Sequence, residues 1–176
     1  MAHSLLLIPV PDAEFLVRPR LERHSAEYLP LDPDETAAHI TLLGPFTDPG
    51  DIDAGVISEL RDFFADVLPF AFELTSICEF PSGTTYLSPE PAAPFRTLTH
   101  ELAKRFPEFP PFGGRFDDVV PHLSVPIPEG EDPGQLRFEL EHRLPIGAHA
   151  REAALFWSEP GRSRTLETFE FGTTAA

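Results

Sequence analysis

Two short stretches of the sequence share a pattern of residues that could carry out chemistry. Each contains a histidine, an apolar residue, a hydroxyl residue and a second apolar residue, as His39-Ile40-Thr41-Leu42 and as His122-Leu123-Ser124-Val125. Residues i and i+2 of a β-strand lie on the same face. If both stretches are strands, each presents an imidazole beside a hydroxyl and packs its two apolar residues into the core.

Two imidazoles and two hydroxyls in one cleft could cleave a phosphodiester. The ordinary pKa of histidine, about 6.5, allows one ring to be neutral while the other is cationic near neutral pH. One histidine would deprotonate the attacking water or hydroxyl, and the other would protonate the leaving oxygen. The hydroxyls would donate to the non-bridging phosphate oxygens. The sequence does not distinguish the base from the acid.

Metal binding is the competing use of two histidines. A zinc site usually takes three or four protein ligands, and neither stretch supplies a carboxylate, cysteine or second histidine at a ligand spacing. Cys78 is the only cysteine, which excludes intramolecular disulfides and cysteine-rich zinc sites. We therefore expect no metal, and we expect a reducing cytoplasmic environment.

The charge of the chain bears on the size of the substrate. Thirteen Lys and Arg residues stand against 29 Asp and Glu residues, for a formal net charge of −16. Binding of long nucleic acids depends largely on basic residues that neutralise phosphates. A small phosphate or nucleotide substrate is therefore favoured over long nucleic acid, although such acidity is also an adaptation for solubility.

The length and the apolar segments indicate the overall organisation. A chain of 176 residues is long enough for one domain of two lobes, and we expect a monomer that spans residues 1–176. No apolar stretch approaches the roughly 20 residues that cross a bilayer, and the N-terminus has no basic leader. We expect neither a membrane segment nor a signal peptide.

The spacing of apolar residues and turn residues predicts the elements that must position the motifs. Strands are predicted over residues 5–10, 37–43, 70–76, 84–88, 119–127, 148–156 and 165–171. Helices are predicted over residues 13–28, 52–68, 95–106 and 136–144, with Pro19 kinking or splitting the first. The elements thus follow similar orders in residues 1–90 and 91–176, and the two histidines lie about half the chain length apart. This order indicates an internal duplication within an α+β fold.

At these residues the sequence resembles the 2H phosphoesterase superfamily, which includes the 2′-5′ RNA ligase-like proteins and the cyclic phosphodiesterases. The resemblance extends from the N-terminal apolar strand through Ala38-His39-Ile40-Thr41-Leu42-Leu43-Gly44-Pro45-Phe46 and Tyr86-Leu87 to Val119-Val120-Pro121-His122-Leu123-Ser124-Val125. The chain looks similar to small, stand-alone bacterial members. The resemblance implies a bilobal, pseudo-two-fold fold in which two antiparallel sheets face a central cleft and the helices pack outside.

The resemblance also implies an activity and the residues that perform it. It implies hydrolysis or formation of a cyclic or 2′-linked phosphate without a cofactor. His39 and His122 would be the acid-base pair, and Thr41 and Ser124 would bind the phosphate. Further candidate substrate contacts are the aromatic residues Tyr86, Phe46 and Trp157 and the cation Arg115.

Three functions remain open on the sequence alone. The first is hydrolysis of a small cyclic phosphodiester, such as a nucleoside 2′,3′-cyclic phosphate. The second is RNA end processing or 2′-5′ ligation, against which the acidic segment 129–131 after the second motif argues. The third is a nucleotide-binding module that retains the cleft without turnover.

Overall fold

The structure is a computed structural model that describes residues 2–115, 118–127 and 130–173. Within these residues the chain forms eight β-strands and four α-helices. The strands are β1 (His3–Pro9), β2 (His39–Leu43), β3 (Phe70–Glu79), β4 (Thr85–Glu90), β5 (Leu123–Ser124), β6 (Ile146–Ala150), β7 (Glu152–Ser158) and β8 (Arg164–Glu170). The helices are α1 (Glu14–His24), α2 (Ala54–Ala65), α3 (Ala93–Arg105) and α4 (Pro133–Glu141).

All eight strands belong to one antiparallel sheet in the order β6-β3-β4-β5-β2-β1-β7-β8, which curls into a half-barrel. The predicted α+β fold class is confirmed. The two expected sheets are the two four-stranded halves of this single sheet, because β2 and β5 pair at Ile40 and Leu123. Each half takes strands from both halves of the sequence, and the two motif strands lie side by side at the centre.

The apolar run of β1 is buried on both of its faces, as the sequence predicts. Leu6 and Ile8 are fully buried in the main core. Leu5 and Leu7 point to the opposite face, where they form a second, smaller cluster with Ala154 and Phe156 of β7. Leu7 lies opposite Thr41 in the sheet, so this second cluster shares a face with the first motif.

Aromatic rings pack two of the helices against the sheet. Phe64 of α2 stacks on Phe169 of β8, with ring centroids 5.5 Å apart. Phe95 of α3 meets Phe70 and Phe72 of β3 edge to face, at 5.2 and 5.0 Å. Burying a phenylalanine side chain contributes about 1.5–3 kcal/mol, so these contacts fix the helices on the core side of the sheet.

Two predicted strands differ from the structure. The strand predicted over residues 119–127 is only Leu123–Ser124, because Pro121 and Pro126 flank it and neither has an N–H to donate. The strand predicted over residues 148–156 is two strands that meet near Arg151. β6 pairs with β3 at one edge of the sheet, while β7 pairs with β1 near the other edge.

Other boundaries agree with the sequence to within a few residues. The helix predicted over residues 13–28 continues through Pro19 and ends at His24, followed by a 3-10 turn at Ala26–Tyr28. The strands predicted over residues 70–76 and 84–88 are β3 and β4, which pair antiparallel as a hairpin. In the part of the chain that the structure describes, no helix has the length and apolar character needed to cross a membrane. Of the acidic segment 129–131, residue 129 lies outside the described residues.

Candidate active site

A single register in the centre of the sheet brings the two histidine motifs together. Ile40 of β2 lies opposite Leu123 of β5, and both side chains are fully buried in the core. Extending this antiparallel register by one residue in each direction places each histidine opposite the hydroxyl of the other motif. The four side chains on the face opposite to Ile40 and Leu123 are His39, Thr41, His122 and Ser124.

The two histidines are therefore diagonal neighbours across the β2–β5 pair. Diagonal neighbours in an antiparallel pair lie roughly 7–8 Å apart, a separation that one phosphate can bridge. Both imidazoles are half-buried, as is Thr41, while Ser124 is exposed. The structure thus brings together the four residues that the sequence selects, on one face of the sheet.

The two imidazoles are held by equivalent hydrogen bonds. His39 Nδ1 lies 2.8 Å from the carbonyl oxygen of Ala37, and His122 Nδ1 lies 2.8 Å from that of Val120. A carbonyl oxygen can only accept, so Nδ1 carries the hydrogen in both rings. In the neutral form, Nε2 of each ring then has the lone pair that can accept a proton.

The surroundings favour the neutral form of both rings. Burial lowers the pKa of His39, and the charge of His122 lowers it further, while the hydrogen bond to Ala37 and the charge of Glu14 act in the opposite direction. Burial likewise lowers the pKa of His122, against the hydrogen bond to Val120. The two histidines therefore interact electrostatically, and protonation of one disfavours protonation of the other.

Three aromatic rings surround His122. Phe80, Tyr86 and Phe112 lie at centroid distances of 4.9, 5.6 and 6.1 Å from its imidazole. Tyr86 also stacks on Phe80 at 4.2 Å and lies directly opposite Ser124 in the sheet. Burial raises the pKa of Tyr86, so its phenol stays protonated and remains a hydrogen-bond donor at neutral pH.

Two pockets near the motifs share Phe112 in their linings. One, of about 460 Å³, has mainly apolar walls and is lined by Phe80, Pro81, Ser82, Thr84, Phe112, Asp118, Val120 and His122. The other, of about 320 Å³, is lined by His3, Leu5, Thr41, Gly44, Pro45, Phe112, Gly113 and Arg115. Phe112 contributes to both linings and has a left-handed backbone conformation (φ 52°), and its N–H donates to the Gly44 carbonyl at 2.8 Å.

The remaining sequence candidates divide into two groups. Tyr86 lies beside His122, and Arg115 is exposed and lines the pocket next to Thr41. By contrast, Phe46 is buried against Phe106 in the core, so its predicted contact with substrate is not supported. The same holds for Trp157, which is buried and whose indole N–H donates to a glutamate two residues later.

The sequence did not identify Phe80, Phe112 or His3 as residues of this site. Phe80 follows β3 directly and Phe112 lies in a proline-rich loop, so neither shows a periodicity that places it. His3 is half-buried and lines the smaller pocket. Contacts between residues far apart in the sequence, such as the bond from the Phe112 N–H to the Gly44 carbonyl, bring these residues to the motifs.

A metal centre is not evident among the described residues of the candidate site. In residues 2–115, 118–127 and 130–173, no group of three or more His, Cys, Asp or Glu side chains is placed to hold a metal ion. Metal independence remains a prediction.

Comparison with known proteins places this site in a family context. The chain matches the 2′-5′ RNA ligase superfamily over residues 9–162. Its fold is similar to that of Escherichia coli LigT complexed with 3′-AMP, with a TM-score of 0.57 and 14% identity over 97% of this chain and 98% of that chain. For TT0787 of Thermus thermophilus the TM-score is 0.60 and the identity 18%, over 99% and 100% of the two chains.

These structural likenesses, at identities below 20%, establish the fold alone. No curated protein sequence matches the chain. The family match covers most of the chain and includes both histidine motifs with the strands that carry them. The chain therefore belongs to the 2′-5′ RNA ligase superfamily, the 2H phosphoesterases.

Proposed function

We propose that this protein hydrolyses a small cyclic phosphodiester, such as a nucleoside 2′,3′-cyclic phosphate, by metal-independent catalysis with two histidines. The observation that carries the proposal is the placement of two His-x-hydroxyl motifs on adjacent antiparallel strands with their histidines held by equivalent hydrogen bonds. A base, an acid and two hydroxyl donors then share one face of the sheet.

The proposed reaction uses the two Nε2 atoms in complementary roles. One neutral imidazole takes a proton from water, whose oxygen attacks phosphorus as the bond to one ring oxygen of the cyclic phosphate breaks. The other imidazole, protonated, gives its Nε2 proton to that leaving oxygen, so the ring opens to a single product that carries a free hydroxyl and a phosphomonoester. Thr41 and Ser124 donate hydrogen bonds to the non-bridging oxygens, where negative charge increases.

The two pockets support a substrate of nucleotide size. The apolar pocket beside His122 offers the faces of Phe80 and Phe112 to a planar base. The pocket beside Thr41 offers Arg115, whose guanidinium suits an anionic or hydroxyl-bearing group. Escherichia coli LigT has been solved in complexes with 3′-AMP, ATP and NADP+, so this fold can hold nucleotides.

The test is a screen of cyclic mononucleotides and related phosphodiesters in the presence of EDTA, with phosphorus NMR of each product. We expect turnover that survives chelation and a product with one free phosphomonoester. Loss of turnover in EDTA, restored by zinc, would overturn the metal-independent mechanism. Binding of 3′-AMP with no turnover of any cyclic phosphate would instead indicate a nucleotide-binding module.

RNA end processing or 2′-5′ ligation is the second candidate, and the family match favours it. The net charge of −16 weakens electrostatic attraction to a long phosphate backbone. Incubation with an oligoribonucleotide that carries a 2′,3′-cyclic phosphate, over a series of salt concentrations, separates the two functions. Faster turnover of the oligonucleotide than of the matching mononucleotide, lost as salt rises, would favour the RNA reaction.

A further inference from the structure

The backbone just before His39 is held by a carboxylate from the neighbouring helix. Glu14 Oε2 accepts the N–H groups of Ala37 and Ala38 at 2.9 and 2.8 Å, and Oε1 lies 3.0 Å from the Ala37 nitrogen. The Ala38 carbonyl accepts the N–H of Val10 at 2.8 Å, and the Ala37 carbonyl contacts His39 Nδ1. All four backbone groups of these two buried alanines therefore have partners.

The carboxylate is itself held in place by an arginine one turn further along α1. Arg18 Nε donates to Glu14 Oε1 at 2.7 Å, and its guanidinium also donates to the carbonyl of Glu35. Both side chains of the ion pair are about one-fifth exposed, at 22% for Glu14 and 21% for Arg18. Hydrogen bonds between charged partners are stronger than neutral ones, so the carboxylate has a defined orientation.

The second motif cannot use the same arrangement. Pro121 precedes His122 where Ala38 precedes His39, and proline has no N–H to donate to a carboxylate. His122 is instead surrounded by aromatic rings. The two histidines make the same bond to a backbone carbonyl, but among the described residues a carboxylate bonds the backbone next to that carbonyl in the first motif and not in the second.

We propose that Glu14 is a positioning residue for His39, acting through the Ala37–Ala38 backbone. Its carboxylate orients the Ala37 peptide, whose carbonyl accepts from Nδ1 and so fixes the ring and its tautomer. Without the Glu14 carboxylate, the buried N–H groups of Ala37 and Ala38 would lack acceptors. The free-energy cost of two unpaired buried donors is large enough for this backbone segment to turn away from its present orientation. The Ala37 carbonyl would then move relative to Nδ1, and His39 Nε2 would lose its position towards the phosphate.

The charge of Glu14 gives this role a measurable signature. Among the described residues, the charged groups that act on His39 are Glu14 of α1 and His122, which directly precedes β5, and Arg18 partly neutralises Glu14. Glu14 favours the protonated form of His39, against the larger effect of burial. Removing the charge of Glu14 and removing that of Arg18 should therefore shift the titration of His39 in opposite directions.

The experiment compares Glu14→Gln, Arg18→Gln and the control Glu22→Gln, which removes a charge from an exposed position of the same helix. The first readout is the titration of the His39 imidazole by NMR, with the ¹⁵N shifts that report its tautomer. We expect the midpoint to move to lower pH in Glu14→Gln, to higher pH in Arg18→Gln, and to stay in place in Glu22→Gln. The NMR readout needs no substrate.

The second readout, the pH profile of kcat/KM, rests on the proposed function. In Glu14→Gln, only the limb that belongs to His39 should move to lower pH, and the maximum should fall roughly 10- to 100-fold, since small misplacements of a catalytic group cost up to about 10²-fold. The limb that moves identifies His39 as base or acid. A purely structural role would lower the maximum and leave both limbs in place.

If the titration midpoint and the ¹⁵N chemical shifts of His39 are the same in Glu14→Gln as in the unmodified protein, the proposal is overturned, whatever happens to activity. If Glu14→Gln does not fold, Arg18→Gln tests the proposal. A His39 titration that fails to move to higher pH in Arg18→Gln would contradict the role of the Glu14 carboxylate. If the NMR shifts occur but no cyclic phosphate is turned over, the positioning role stands and the proposed function fails.

Discussion

Ile40 lies directly opposite Leu123, and this one pair of buried residues sets the geometry of the candidate site. Side chains in a strand alternate between faces, so a slip of one residue would turn one histidine and its hydroxyl into the core. β5 is only two residues long, which leaves little other pairing to hold the register. The packing of Ile40 and Leu123 in the core therefore supports both stability and catalysis.

Replacing Leu123 with alanine should affect both properties. We expect Leu123→Ala to lower the free energy of unfolding by about 2–5 kcal/mol, as for other fully buried leucines, and to lower kcat as β5 loosens. Urea unfolding and a turnover assay on the same preparation would measure the two effects. Leu68→Ala is the matched control, since Leu68 is 55% exposed and its loss should cost less than about 0.5 kcal/mol. Equal effects of the two substitutions would contradict this account of the register.

Removal of either histidine should nearly abolish turnover while the fold is retained. A general acid or base contributes roughly 10²- to 10⁴-fold, so we expect such losses in kcat for His39→Ala and for His122→Ala. The double variant should be much less impaired than the product of the single losses, because the two residues act in one transition state. His149→Ala, an exposed histidine on β6, is the control for loss of an imidazole. Full activity of His39→Ala on a true substrate would exclude the two-histidine mechanism.

The motif hydroxyls should matter less than the histidines. Thr41→Val and Ser124→Ala each remove a neutral donor to the phosphate, and we expect losses of about 10- to 1000-fold in kcat. Ser58→Ala, at an exposed position on α2, controls for loss of a hydroxyl. Circular dichroism would verify that each variant is folded. A rise in KM with kcat unchanged would show that the hydroxyls bind the ground state and the transition state equally.

The sequence predicted the part of the site that depends on local order. Alternation along a strand was enough to place His39 with Thr41 and His122 with Ser124 on common faces, and the strand order of the structure puts those faces together. The rest of the candidate site, which the sequence did not predict, depends on contacts between residues that are far apart in the sequence. Glu14 contacts the backbone of residue 37 from a helix, and Phe80, which directly follows β3, meets His122. No short sequence pattern encodes either contact.

The errors in the predicted elements also have physical causes. The segment 148–156 contains no glycine or proline, so no turn residue marks the point where the chain leaves one edge of the sheet for the other. Around β5, strand propensity is outweighed by the two prolines that limit hydrogen bonding on either side. Phe46 follows a motif strand closely, but it turns into the core against Phe106. The division of the chain into duplicated halves, residues 1–90 and 91–176, stays a prediction.

The pH dependence of catalysis should reflect the burial of both imidazoles. Burial lowers the pKa of His39 and of His122 from the ordinary value of 6.5, and kcat/KM reports the free enzyme. Since one ring must be neutral and the other protonated, kcat/KM should follow a bell whose centre lies below pH 6.5. A bound phosphate anion favours the protonated ring, so the descending limb of kcat should lie at higher pH than that of kcat/KM. Profiles of both constants across the same buffers would check this, and a bell centred well above pH 6.5 would contradict it.

Phe112 should control how tightly the base of a nucleotide is held. Phe112 lines both pockets, and its left-handed backbone (φ 52°) is one that glycine adopts without strain. Phe112→Gly should therefore keep the loop in place and remove only the ring.

Stacking of a base on an aromatic ring is worth about 1–3 kcal/mol, so we expect Phe112→Gly to raise KM for a cyclic nucleotide roughly 5- to 150-fold with little change in kcat. Phe112→Tyr is the control that preserves the stacking face. Because Phe112 lines both pockets, Phe112→Gly should also widen the site, so bulkier phosphodiesters should lose less affinity than cyclic mononucleotides do. Steady-state kinetics with one small and one bulky substrate would test both expectations. An unchanged KM for both substrates would show that the ring of Phe112 is not a wall of the substrate site.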